Sequence, residues 1–190
     1  MLSRLNTSPI SESSTPLTIL MVFVIRTSCV TKVSPLPNVS GDRVHDLVAE
    51  TLELDADFGP AHILRGRVYV ANGMTDRGVE ELERAQVQLG PRPDVITPHA
   101  YALARAGRRR EALAKLDELR RIAKPRDPAP FRIAMVHIGL GDTDRAFEWL
   151  EKAFDARDWQ LAMLNVEPAF DGLRSDSRFA ALVERVGLPR

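Results

Sequence analysis

Glycine recurs at a fixed interval in the middle of this chain: Gly73, Gly107 and Gly141 stand 34 residues apart. The surrounding residues repeat with them. Tyr69, Leu103 and His137 precede the glycines by four positions, and the small residues Gly66, Ala100 and Ala134 precede them by seven. Gly78, Ala112 and Ala146 follow by five, Leu82, Leu116 and Leu150 by nine, and Ala85, Leu119 and Ala153 by twelve. Such a register restricts the fold severely, because each unit must bury its apolar face against its neighbour. Within a unit the apolar residues have helical spacing, and the central glycine suits the left-handed backbone that ends a helix. The expected fold is therefore all-α, a stack of helix–turn–helix units.

The units fall at about 59–90, 93–124 and 127–158. One interval before the first, Val44, Val48 and Thr51 take the places of Gly78, Leu82 and Ala85, so residues 41–54 read as the second helix of a partial N-terminal repeat. Its open apolar end offers a surface for self-association, or one that residues 17–25 would cover. In the first full unit Pro60 suits a helix start. Gly78 costs its helix about 1 kcal/mol relative to Ala, and the expected compensation is close contact between the paired helices. In the second unit Pro98 is expected to shorten the first helix, with Thr97 as its N-cap. The third begins on Asp127-Pro128, read as an N-cap and first-turn pair. Beyond Trp159 the period fades. Leu161, Met163, Leu164 and Val166 suggest one more helix before Pro168, and Phe170, Leu173, Phe179, Leu182, Val183 and Val186 supply the apolar side of a closing pair. Residues 159–188 are thus expected to cap the stack, with Ser177 capping the last helix.

Residues 1–39 have a different character, rich in Ser, Thr and Pro, and are expected to form a poorly ordered or atypical tail. Their apolar run Leu17–Ile25 is too short for a spanning helix, which takes about 20 residues. It has the length of a secretory h-region, but no A-x-A cleavage site follows. The expected location is cytoplasmic, with export the alternative. Lys plus Arg equals Asp plus Glu at 26 each, so no bulk charge draws the chain to nucleic acid or membrane. Cys29 is the single cysteine, which excludes an internal disulfide or a multi-cysteine metal site.

Residues 59–154, with their small–Tyr–Gly–Ala–Leu–Ala series, resemble tetratricopeptide (TPR) repeats. The resemblance implies a TPR-type solenoid of about three full repeats, plus the partial N-terminal repeat and a C-terminal capping helix pair. From Phe147 to Pro189 the chain is similar to the ends of TPR regions in bacterial multidomain signalling proteins. There such arrays follow winged-helix, kinase or nucleotide cyclase domains. Two positions depart from the family's pattern: Arg65 stands where it has Leu, and Thr75 or Arg109 where it has Tyr. By resemblance the concave groove is lined by Ile63, Arg67 and Val70, then Thr97, Tyr101, Ala104 and Arg105, then Phe131, Met135 and Ile138. It would take a protein or peptide partner, anchored by Tyr101 and Phe131. The family's clamp for a chaperone carboxylate wants Lys and Asn; the matching positions here are Ile63, Arg67, Pro98, Pro128 and Arg132.

No catalytic constellation emerges from the residues. His45, His62, His99 and His137 never pair at i, i+4, and the last three fall on helix-packing positions. Asp55-x-Asp57 and Asp142-x-Asp144 lack the rest of a calcium loop and read as caps at turns. Ser175 and Ser177 have no nearby histidine as base, and no phosphate-binding loop is present. Residues 101–127 carry nine basic side chains against four acidic ones, whereas residues 42–85 carry an acidic excess. Such polarity could steer an acidic partner to the second repeat, nucleic acid being less favoured. The plainer reading is a solvated helix with the i, i+4 pairs Glu111–Lys115 and Asp117–Arg121. Together these features predict a non-enzymatic scaffold with no cofactor and no metal. The alternative is the C-terminal regulatory fragment of a signalling protein.

Overall fold

The computed structural model describes residues 41–123 and 130–189, with side chains from Asp46 onward. Among these residues all regular structure is helical. In order they form α1 (Gly41–Leu54), α2 (Gly59–Ala71), α3 (Thr75–Leu89), α4 (Pro93–Arg105), α5 (Arg109–Ile122), α6 (Pro130–Gly139) and α7 (Thr143–Asp155). Two 3₁₀ segments follow, Trp159–Met163 and Pro168–Leu173, and then α8 (Ser177–Val186). The tail 1–39, its apolar run and the Asp127-Pro128 pair lie outside the described residues.

Three hairpins form the body of the molecule: α2 packs on α3, α4 on α5 and α6 on α7. The first helices of successive hairpins also touch, α2 with α4 and α4 with α6, so they make one continuous inner layer. The recurrent small and leucine positions are the seams. Leu82, Leu116 and Leu150, with Ala85, Leu119 and Ala153, are at most 1% exposed.

Each hairpin turn is closed in one way. Gly73, Gly107 and Gly141 have φ between +72° and +79°, where a side chain would be strained. The next residue's N–H then reaches back to the carbonyl five positions earlier: Met74 to Tyr69, Arg108 to Leu103 and Asp142 to His137, at 2.8–2.9 Å. This is the pairing of a Schellman cap, which satisfies carbonyls left open at the helix end.

The first hairpin is the tightest. A Cβ at Gly78 would strike Val70 Cγ2 and lie 2.9 Å from the Gly66 carbonyl oxygen. Glycine is therefore needed where α2 and α3 cross, as its helix-interior position suggested. Arg65 is accommodated here too. Its guanidinium donates to the buried carboxylate of Glu81 at 2.7–2.8 Å, and the same Glu81 oxygen sits 2.7 Å from His62 Nδ1.

Several local expectations are overturned. Pro98 lies inside α4 without shortening it, and Thr97 is not a cap: its hydroxyl donates to the Pro93 carbonyl at 2.7 Å within the helix. Dense burial of α4 against α3, α5 and α6 outweighs the single hydrogen bond that proline removes. Asp176, not Ser177, caps α8, its carboxylate accepting from Arg178 N–H. Asp142 makes no side-chain cap bond, while Asp55 accepts from Asp57 N–H in the α1–α2 turn.

The closing region also differs from expectation. Helices α3, α5, α7 and α8 begin at residues 75, 109, 143 and 177, so the 34-residue register continues through α8. What is lost is the first helix of this last unit. Pro168 stands one interval after Ala134, and Glu167 before it is extended at φ −80°, ψ 117°, as a following proline favours. Two 3₁₀ segments replace the expected α-helix.

Candidate functional site

The inner layer made by α2, α4 and α6 is where the sequence places a binding face. The structure divides its predicted lining into two groups. Val70, Thr97, Ala104 and Phe131 are buried and belong to the core. Ile63, Arg67, Tyr101, Met135 and Ile138 are half-buried, and Arg105 is exposed with no hydrogen-bond or ionic partner among the described residues.

A segment of the chain's own C-terminal region lies across this layer. Arg67 Nη2 on α2 donates to Glu167 Oε2 at 2.8 Å, joining residues 100 positions apart. On α6, the Phe131 ring meets Phe170 with centroids 5.3 Å apart and planes tilted by 41°. Phe170 also meets Phe179 of α8 at 6.2 Å. Tyr101, Met135 and Ile138 pack on the cluster that contains Phe131, Phe170 and Leu173. Burial raises the Tyr101 phenol above its usual range, with Arg105 opposing and Glu167 and Asp171 adding to the shift. The segment is held in shape by Arg174, which donates to Asp171 Oδ1 and to the Asn165 carbonyl. Phe131, expected to anchor a partner, is instead a core residue packed on a ring of the same chain.

No protein-family model, curated protein or solved structure matches the chain.

Elsewhere the titratable side chains are engaged in packing. His62 is buried between Glu81 Oε2 and the Ala56 carbonyl, 2.9 Å from Nε2. His99 Nδ1 contacts Gln86 Oε1 at 2.9 Å, and Lys115 donates to the same oxygen at 2.8 Å. Burial, with Lys115 and Arg108 beside it, lowers the His99 pKa to about 4. Burial likewise lowers that of His137. Among the described residues no three His, Cys, Asp or Glu side chains converge to hold a metal ion, and no helix is long and apolar enough to cross a membrane.

The basic stretch is paired differently from the i, i+4 expectation. Arg108–Glu111, Lys115–Glu118 and Arg120–Asp117 are ion pairs at i, i+3, of 2.6, 3.0 and 3.2 Å. Arg121 instead donates to the Asp117 backbone carbonyl at 3.4 Å.

Sequence reasoning missed Glu167, and it placed Phe170 on the apolar side of the closing pair without its contact to Phe131. Their signal was present: extending the register by one more interval puts a proline in the middle of the fourth first-helix, where a continuous helix is disfavoured.

Proposed function

We propose that this chain is a non-catalytic protein-docking module, a short TPR-type solenoid that takes a peptide across the α2–α4–α6 face. The observation that carries the reading is the occupancy of that face by an irregular segment, with a carboxylate on Arg67 and an aromatic ring on Phe131. A surface that holds such a segment in cis has the mixture of cation and apolar contacts that peptide recognition uses. Next to it, Ile63 and Arg105 extend the same chemistry beyond the ground the cis segment is seen to hold.

The test is photo-crosslinking in lysate with the full chain. A crosslinking side chain at Arg105 is compared with one at Glu80, an exposed position on α3. The expected result is a partner captured from position 105 and lost when Ile63→Asp and Arg67→Gln are added, with helicity unchanged by circular dichroism. Equal capture from position 80, or capture that survives both substitutions, would refute docking on the inner face.

A further inference from the structure

We infer that Glu167 is a built-in competitor for the inner face, and that the partner is an acidic peptide whose carboxylate displaces it from Arg67. This rests on the docking reading above and names the ligand chemistry and regulation of that site.

The two ends of the cis segment are held very differently. Phe170 is fully buried between Phe131 and Phe179 and belongs to the core. It stays in place unless the C-terminal region unfolds. Glu167 is bound by one ionic contact to Arg67, whose side chain remains 34% exposed while that of Glu167 is 13% exposed. Water reaches the pair from the arginine side, so this contact can exchange without opening the core. The releasable part of the occupant is therefore its carboxylate, three residues before a fixed ring.

The charge of the face matches an incoming acid. Arg67 pairs with Glu167, and Arg105, beside Tyr101, has no hydrogen-bond or ionic partner among the described residues. Of the two arginines only Arg67 is held by a carboxylate there. A peptide with two carboxylates could engage both, and the half-buried Ile63 offers it apolar contact. Competition follows from mass action: a site that is open only part of the time binds more weakly in proportion to the open fraction.

The probe is a fluorescein-labelled peptide copying residues 163–172, which carries Glu167, Phe170 and Asp171 in their native spacing. Binding by fluorescence anisotropy is measured on the full chain, on Glu167→Gln and on Glu167→Gln/Arg67→Gln. Glu167→Gln is expected to bind roughly fivefold tighter than wild type. The double variant is expected to lose that gain, and a probe with Gln for Glu should show no gain. Salt should weaken the tight complex. Equal affinity for wild type and Glu167→Gln, or a gain that survives loss of Arg67, overturns the competitor while leaving docking intact. No binding to any of the three proteins overturns the competitor and the docking reading together.

Discussion

At the scale of single residues, one position breaks the chain's own rule. Arg157 follows α7 where glycine follows α2, α4 and α6, and it takes the same left-handed backbone at φ 52°. The cap is otherwise the same: Arg157 N–H reaches Phe154 O at 3.0 Å and Asp158 N–H reaches Ala153 O at 2.9 Å. A Cβ costs about 1–2 kcal/mol there, partly offset by the greater freedom of an unfolded glycine. Arg157→Gly is therefore expected to stabilise the fold by about 0.5–1 kcal/mol in urea titrations. His99 makes an acid-sensitive residue. Its pKa is about 4 when folded against an ordinary 6.5, so the unfolded chain takes up the proton first. The stability this brings is complete above pH 6.5, falls as the pH drops toward 4, and is gone below that. One proton sets a limit of about 1.4 kcal/mol per pH unit, and His137 contributes with the same sign. His99→Gln should flatten the loss of stability between pH 6.5 and 4, measured by urea midpoints across that range.

At the scale of elements, the pairing of α2 with α3 depends on the absence of two side chains. Alanine is the better helix former, so local propensity alone favours Gly78→Ala by about 1 kcal/mol. Its methyl group would meet Val70 and the Gly66 carbonyl, and α3 would have to move away from α2. The expected net effect is a loss of about 1–3 kcal/mol, read from thermal or urea unfolding. The later hairpins carry Ala100 with Ala112 and Ala134 with Ala146, so the same substitution is already present there. These seams were readable in the sequence because a small residue, a leucine and another apolar residue recur in one register. The two internal prolines were not. Pro98 and Pro168 look alike locally, yet α4 continues through the first and no α-helix forms around the second. The difference is tertiary: α4 has packed helices on several sides, whereas the last unit's first segment has no further unit beyond it among the described residues. Nor could periodicity show that this segment reaches Arg67, since a contact over 100 residues leaves no trace in a 34-residue register.

At the scale of the whole molecule, an array of this kind holds together by contacts between neighbours, and its ends are its weakest parts. The two ends here are unequal. The C-terminal end is closed by the cluster of Phe131, Phe147, Phe170 and Phe179, and its segment is tied forward to α2 through Arg67. At the other end of the described residues α1 packs, among those residues, chiefly on α2, through a small cluster of Val48, Leu52 and Ala61, and Leu54 is 73% exposed. Local opening draws on regions with few buried contacts. Native-state hydrogen exchange should therefore find the amides of α1 exchanging through a subglobal opening, well below the global free energy. Those of α4 and α6 should require global unfolding. Glu167→Gln should increase exchange in 159–167 and leave α1 unchanged, because Arg67 is not a member of the Val48, Leu52 and Ala61 cluster that holds α1. Exchange of α1 at the global free energy would instead mean that the array unfolds as one unit, its first helix held as firmly as its middle.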